Sequence, residues 1–309
     1  MELRVIRAGM LTTVQDLGRR GHMAQGVPVG GAVDPFALRV ANLLVGNRED
    51  APALEITLTG PELEFAEGAW VAVCGARFEE LPAWRPIRVE AGARLRFGRR
   101  TQGCRAYLSV SGGIDVEPVL GGRGTYLPAG FGGFNGRALR DGDIVRLMRP
   151  GLRPSGHWGI DERMLPRYSP EPTVRVVPGT DAAEFGGALY SGRFRVTPEC
   201  DRMGIRLEGP RLARPAEADA FSVAVAPGTV QVPPDGNPIV LLADAQTLGG
   251  YPRAAHAAAV DTPLLAQLAP GDWVRFAACS IAEAHALARA QEDRLSLLRH
   301  GLAGKLEAV

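Results

Sequence analysis

Ile56–Leu63 reads ITLTGPEL and Ile205–Leu212 reads IRLEGPRL, both fitting I-x-L-x-G-P-x-L. A second echo follows each: Gly142–Leu147 reads GDIVRL and Gly271–Phe276 reads GDWVRF. Each half therefore carries a Gly-Pro corner early and a Gly-Asp turn into its closing strand, in the same order. That order predicts a duplicated β-barrel, with a boundary in the Pro-rich stretch 150–172.

Working outward, strand-like runs rich in β-branched residues recur from Leu54 to Met148 and again from Thr173 to Ala278, with turn residues between them. The 309 residues suit two domains, and 46% apolar content gives each a core. Gly 39 and Pro 24 sit at regular intervals, which favours short strands and turns over long helices. The first 50 residues read as a loop and one helix. Asp34 caps it, Pro35 starts it, Phe36, Val40, Leu43 and Leu44 give it one apolar face, and Gly46 ends it. Ile281–Leu302, rich in Ala and Leu, reads as an amphipathic helix packed outside. The expected organisation is mainly β: a first half over 1–155 holding one barrel and a helix near 35–45, a second barrel over 172–280, and a helical tail over 281–309.

Thirty-five basic and 34 acidic residues are interspersed to a net +1, which makes no phosphate-binding face and argues against nucleic acid. Arg94, Arg96, Arg99 and Arg100 read as a solvated sheet surface before an anion site. Lys305 is the only lysine, so Schiff-base or Walker-type chemistry has no amine in the body of the fold. Cys74, Cys104, Cys200 and Cys279 form no CxxC pair. His22, His157, His256, His285 and His300 form no metal pair, so no metal site is expected. The lack of an apolar leader or a long apolar run points to a protein off the membrane, with reduced cysteines in the cytoplasm.

Gln231–Arg253, QVPPDGNPIVLLADAQTLGGYPR, is the stretch richest in candidate chemistry. A rigid turn at Val232–Pro238 leads into a buried apolar run, Ile239–Ala243. Polar Asp244, Gln246 and Thr247 come next, before the pair Gly249-Gly250 and Tyr251. Polar groups there, beside glycines that let a backbone approach a ligand, suit a site; a tight turn bridged by Asp244 and Gln246 suits the residues equally. Asp201 beside Arg202 reads first as an ion pair or strand cap, and second as a guanidinium clamp for an anion. Gly121–Tyr126, GGRGTY, is either a plain glycine-rich loop or an anion cradle offering Arg123, Thr125 and Tyr126. Gln15 and Asp16 are further candidates, and no nucleophile–base set is defensible.

Together these stretches resemble the biotin-dependent carboxyltransferase, or allophanate-hydrolase subunit 2, family, which includes the type-C 5-oxoprolinase subunits (PxpC/KipA type). The motifs are LTTVQDLGRRGHMAQGVPVGGAVDPFALRVANLLVGN at 11–47, YLSVSGGIDVEPVLGGRGTYLPAGFGG at 107–133, DRMGIRLEGPRL at 201–212, QVPPDGNPIVLLADAQTLGGYP at 231–252 and APGDWVRF at 269–276. The resemblance implies two tandem cyclophilin-like β-barrels. It also implies a direct partner, the type-B (PxpB/KipI-like) subunit, and a type-A subunit with which the complex cleaves 5-oxoproline to glutamate using ATP. Site roles implied are catalytic for Asp244, Gln246, Asp201 and Arg202, and substrate-binding for Arg123, Tyr126, Gln231, Thr247, Gly249, Gly250 and Tyr251. Alternatives within the family are a carboxyltransferase component using carboxybiotin on a urea-like amide, and a non-enzymatic regulator of a kinase inhibitor. The chain departs from the family pattern at Gly122 and Gly124, where serines are usual, at Glu199-Cys200, and at Arg253, where lysine is common.

Overall fold

The computed structural model describes residues 1–156, 158–213 and 221–309, so His157 lies outside the described residues. Contacts divide the chain into two units. The first is Met1–Arg20, Gly30–Pro166 and Arg294–Val309; the second is Gly21–Val29 and Arg167–Asp293. The main division falls between Pro166 and Arg167.

In the first unit the strands are β1 (Glu2–Arg7), β2 (Leu11–Gln15), β3 (Ala53–Thr57), β4 (Glu62–Phe65), β5 (Ala69–Phe78), β6 (Pro86–Val89), β7 (Arg94–Arg96), β8 (Arg100–Val110), β9 (Ile144–Arg146) and β10 (Leu152–Pro154), with α1 (Pro35–Leu44) before β3. They build a four-stranded sheet, β7-β4-β1-β9, and a five-stranded sheet, β2-β3-β8-β5-β6. Leu3, Val5, Leu63, Phe65 and Val145 from the first pack in one core with Leu54, Ile56, Val71, Val73 and Leu108 from the second. Inward residues alternate with outward ones because successive side chains of a strand point to opposite faces.

The expected helix is present with its expected ends. Ala37 N donates to Asp34 Oδ1 at 2.9 Å, Pro35 opens the first turn, and Gly46 N closes on Leu43 O at 3.2 Å. The two strands ahead of it were not expected. β1 buries Leu3 and Val5 between exposed Glu2 and Arg4. β2 hides from a hydrophobicity reading because its buried positions include Thr12, Thr13 and Gln15. The arginine cluster is a charged sheet surface, with Arg94 bonded to Glu64 at 2.9 Å, Arg96 to Glu62 at 3.1 Å and Arg99 to Glu79 at 2.7 Å.

In the second unit, β11 (Thr173–Pro178), β12 (Arg193–Val196), β13 (Gly204–Glu208), β15 (Thr229–Gln231), β16 (Ile239–Leu241), β18 (Arg253–Ala257) and β19 (Trp273–Ala278) close a barrel in the order β11-β18-β15-β16-β13-β12-β19. β14 (Val223–Ala224) and β17 (Leu248–Gly249) form a separate ribbon. Short helices α2 (Ala188–Ser191) and α3 (Thr262–Ala266) complete the unit.

The repeat survives in strand pairing. β3, which carries Ile56 and ends one residue before Leu58, lies between β2 and β8; β13, which carries both Ile205 and Leu207, lies between β12 and β16. The closing strands differ. β19 is six residues long and pairs with both β11 and β12, which seals the ring, whereas three-residue β9 pairs with β1.

α4 (Ile281–Ala303) buries Leu295 and Leu302 and otherwise shows a mostly exposed surface. Its last ten residues count with the first unit because β20 (Leu306–Ala308), just beyond it, pairs antiparallel with β10. No helix among the described residues is long and apolar enough to cross a membrane.

Candidate functional site

The candidate residues fall in both units, and each set is built by its own unit. In the second, β16 ends at Leu241 and the chain runs on beside the residues that lead into β13. Leu242 N donates to Met203 O at 2.9 Å and Asp244 N to Arg202 O at 3.0 Å. That register brings side chains 42 residues apart together: Arg202 Nε donates to Asp244 Oδ2 at 2.9 Å, and Nη2 to Oδ1 at 3.1 Å. The pair is 4% and 1% exposed, so the fork-to-carboxylate bond is sealed from water. Asp201 takes the capping role. Its Oδ1 accepts from Met203 N at 2.7 Å and Gly204 N at 3.1 Å, fixing the turn that aims Arg202 inward.

Beside this pair lies an uncharged group. Gln231, at the end of β15, is 1% exposed and donates through Nε2 to Tyr251 O at 3.3 Å. Exposed Gln246 reaches it from above, with Nε2 3.5 Å from Gln231 Oε1. Gly249 is required here: a Cβ would stand 2.5 Å from Gln231 Nε2. Thr247 is buried and its carbonyl accepts from Val225 N at 3.0 Å, which anchors β14 to β17. Gly250 is half-buried and Tyr251 is exposed. A primary amide held by a second amide presents a donor and an acceptor side by side, the complement of an amide or lactam ligand.

The turn before β16 has the expected form. Gly236 N bonds to Pro233 O at 2.9 Å, and the Asn237 backbone and side chain, each 3.1 Å from Asp235, hold its carboxyl below the usual range. Arg253 is committed to Asp181, whose Oδ2 accepts from Arg253 N at 2.8 Å and lies 3.6 Å from its Nε.

In the first unit, the glycine-rich stretch is packed rather than loose. Thr125 is fully buried and donates to Val14 O at 3.0 Å. Gln15 Nε2 donates to Thr125 O and to Thr13 Oγ1, both at 3.1 Å. Asp16 accepts from Gly18 N at 2.8 Å and from Arg123 N at 2.5 Å. Buried Arg19 stacks over Phe131 at 4.7 Å and donates to Gly124 O. Both departures from the family's serines have a local reason. A Cβ at Gly124 would lie 2.7 Å from Gln15 Oε1 and 2.9 Å from Asp16 Oδ1, and one at Gly122 would lie 3.0 Å from Arg19 Cβ. Arg123 keeps an exposed guanidinium with Nε on Val116 O at 3.2 Å, and half-buried Tyr126 rests on Phe131 with ring centroids 5.4 Å apart.

Sequence reading missed two parts of this polar interior. One is Arg19. The other is Glu55 with Tyr107: Tyr107 OH donates to Glu55 Oε2 at 2.7 Å and accepts from Asp34 N at 2.8 Å, while Val33 N donates to the same carboxyl at 3.0 Å. Burial, with the Glu55 charge second, pushes the Tyr107 hydroxyl pKa well above its ordinary value. Polar residues at inward strand positions were the available signal. A cleft of about 970 Å³ in the first unit, bordered by Trp70, Arg88, Arg149 and Arg153, holds none of the residues named from the sequence. Among the described residues no three His, Cys, Asp or Glu side chains are placed to hold a metal ion.

Residues 25–278 match the family described as carboxyltransferase domain, subdomain A and B, and the chain belongs to that family. Within it, the chain is similar to the type-C 5-oxoprolinase subunit of Escherichia coli (strain K12), 41% identical over 91% of this chain and 93% of that one. It is also similar to the type-C 5-oxoprolinase subunit of Haemophilus influenzae, 35% identical over 93% and 94%. Among solved structures, the K. lactis urea amidolyase matches with a TM-score of 0.89 and 30% identity over 95% of this chain, yet only 20% of its own. The crystal structure of TTHA0988 matches with a TM-score of 0.80 and 36% identity over 89% of this chain and 56% of that one.

Proposed function

We propose that this chain is the type-C subunit of an ATP-dependent 5-oxoprolinase, opening 5-oxo-L-proline to L-glutamate together with type-A and type-B subunits. The observation that carries the reading is the shared sequence with two type-C 5-oxoprolinase subunits along nearly the full length of all three chains. The site chemistry supports it. A lactam offers a carbonyl acceptor and an N–H donor on one edge, and the Gln246 carboxamide, steadied by Gln231, offers the matching donor and acceptor. In the overall reaction water oxygen bonds to the carbonyl carbon, the ring C–N bond breaks and the nitrogen takes a proton. The complex supplies ATP hydrolysis to drive this step. Arg202 and Asp244 neutralise each other and act as positioning residues for Gln246; Asp201 positions Arg202. Arg123 and Tyr126, within the first unit, offer an exposed guanidinium and a hydroxyl to an anion.

The test is co-expression with the type-A and type-B subunits and measurement of ATP-dependent glutamate release. Gln246→Ala is expected to lower kcat/KM about tenfold, one lost hydrogen bond of about 1 kcal/mol or slightly more, with the melting temperature unchanged. Absence of glutamate release from three well-folded subunits overturns the reading.

A second reading is favoured by the match to the K. lactis urea amidolyase across 95% of this chain. Here the chain is a carboxyltransferase component acting on a urea-like amide, which the same glutamine pair would suit, and carboxybiotin arrives on another protein. Urea-dependent ATP consumption with a biotin carboxylase present, and none with 5-oxoproline, would select it.

A further inference from the structure

The β14–β17 ribbon stands apart from the barrel of the second unit as a two-stranded sheet. Each strand is two residues long, Val223 opposite Gly249 and Ala224 opposite Leu248, and the two form a sheet of their own. A ribbon this short has little stability by itself in water. Its large apolar side chains are nevertheless in water: Phe221 is 88% exposed, Leu248 59% and Tyr251 45%.

Gly249 turns toward Gln231, so its strand neighbour Leu248 points to the other face. Phe221 and Tyr251 lie two residues outside the paired strands. The two segments, FSVAVA at Phe221–Ala226 and QTLGGY at Gln246–Tyr251, contain no charged residue. A single exposed leucine is ordinary on a protein surface. Three large apolar groups on and next to an uncharged ribbon, whose strand β17 follows Gln246, mark a surface that is covered in use.

We propose that this ribbon is the docking element for the partner protein that completes the amide-binding site, and that the partner meets it with an uncharged, apolar surface. The proposal rests on the oxoprolinase reading above. The occupant is a different chain rather than a second copy. The same fold makes up a fifth of the urea amidolyase chain and just over half of TTHA0988, so in those proteins it shares a polypeptide with other segments. This chain is matched over 93% and 94% of the two type-C 5-oxoprolinase subunits' own length, so their counterpart of those segments arrives as a separate protein.

The experiment co-expresses the chain with a tagged type-B subunit and reads capture, then size-exclusion chromatography with light scattering, and a titrated Kd. The variants are Phe221→Asp/Leu248→Asp and, for comparison, Leu297→Asp, a leucine on α4 that is 67% exposed. The wild type and Leu297→Asp are expected to co-elute with the partner. The double variant is expected to bind about a hundredfold more weakly, the effect of losing two apolar anchors at an interface centre, with unchanged circular dichroism and melting temperature. Wild-type affinity in the double variant overturns the proposal. So does a homodimer of the isolated chain that the double variant dissolves, because the ribbon then serves a second copy. A wild-type chain that does not associate with the type-B subunit at all sinks the oxoprolinase reading, and this docking surface with it.

Discussion

Removing the Asp244 carboxylate should cost more stability than any substitution at an exposed candidate residue. Arg202 is 4% exposed and spends two N–H groups, at 2.9 and 3.1 Å, on that carboxylate. Asp244→Ala takes away the carboxylate that accepts two hydrogen bonds from a buried guanidinium; breaking a buried ion pair from one side costs about 3–5 kcal/mol. For a domain of this size each kcal/mol moves the melting temperature by about 2–4 °C, so a fall of roughly 6–20 °C is expected. Arg202→Met should cost a similar amount by breaking the same buried pair from the other side. The double variant Arg202→Met/Asp244→Leu removes both charges together and keeps the backbone bond from Asp244 N to Arg202 O. It should therefore recover most of the loss, with a coupling energy of several kcal/mol in the double-mutant cycle. Thermal and urea unfolding followed by circular dichroism measure the cycle; glutamate release by the assembled enzyme is read in parallel. Single variants within about 0.5 kcal/mol of wild type, yet inactive in the complex, would refute the positioning role and make the pair itself catalytic.

Gly124→Ser restores the residue usual in the family but places a Cβ 2.7 Å from Gln15 Oε1, so we expect it to destabilise the first unit by about 1–3 kcal/mol in urea titrations. Equal or greater stability would show that Gln15 moves aside freely. Tyr107→Phe removes the hydroxyl that joins Glu55 to Asp34 N; about 1–3 kcal/mol should be lost, with faster amide exchange at Val33 and Asp34 as the local readout. Asp143 is held below the ordinary carboxylate value of 3.8 chiefly by its hydrogen bonds from Arg137, at 2.7 and 2.8 Å. Its contribution is therefore fully present above that value and is lost as pH falls through the lower folded-state pKa. Asp143→Asn should lower stability at neutral pH and flatten this acid limb; an unchanged limb in pH-dependent melting would contradict the assignment.

Much of the architecture is legible one residue at a time. Asp34, Pro35 and Gly46 bracket α1 because capping and termination are local chemistry. The turn at Pro233–Asn237 needs only its own residues, and the repeat marks β3 and β13 because both strands sit in equivalent pairings. β2 was not legible because three of its four buried residues, Thr12, Thr13 and Gln15, are polar, and only partners such as Thr125, 110 residues away from Gln15, satisfy them.

The candidate site divides along the same line. Sequence singled out Arg202, Asp244, Gln231 and Gln246, and it placed Asp201 beside Arg202 as an ion pair or cap. Tertiary structure decided that Asp201 caps the turn while Arg202 reaches Asp244, because β13 and β16 lie antiparallel and bring that end of each strand to one place. It also decided that Gly122, Gly124 and Thr125 of the glycine-rich stretch pack against Arg19, Gln15 and Val14, and that Phe221 and Leu248 at the ribbon are exposed. By itself the sequence determined the strand-and-turn content and the residue types available for chemistry, since those follow from short-range sterics and periodicity. Only the fold decided which charges meet and which apolar groups stay uncovered, because both depend on strand register across tens of residues.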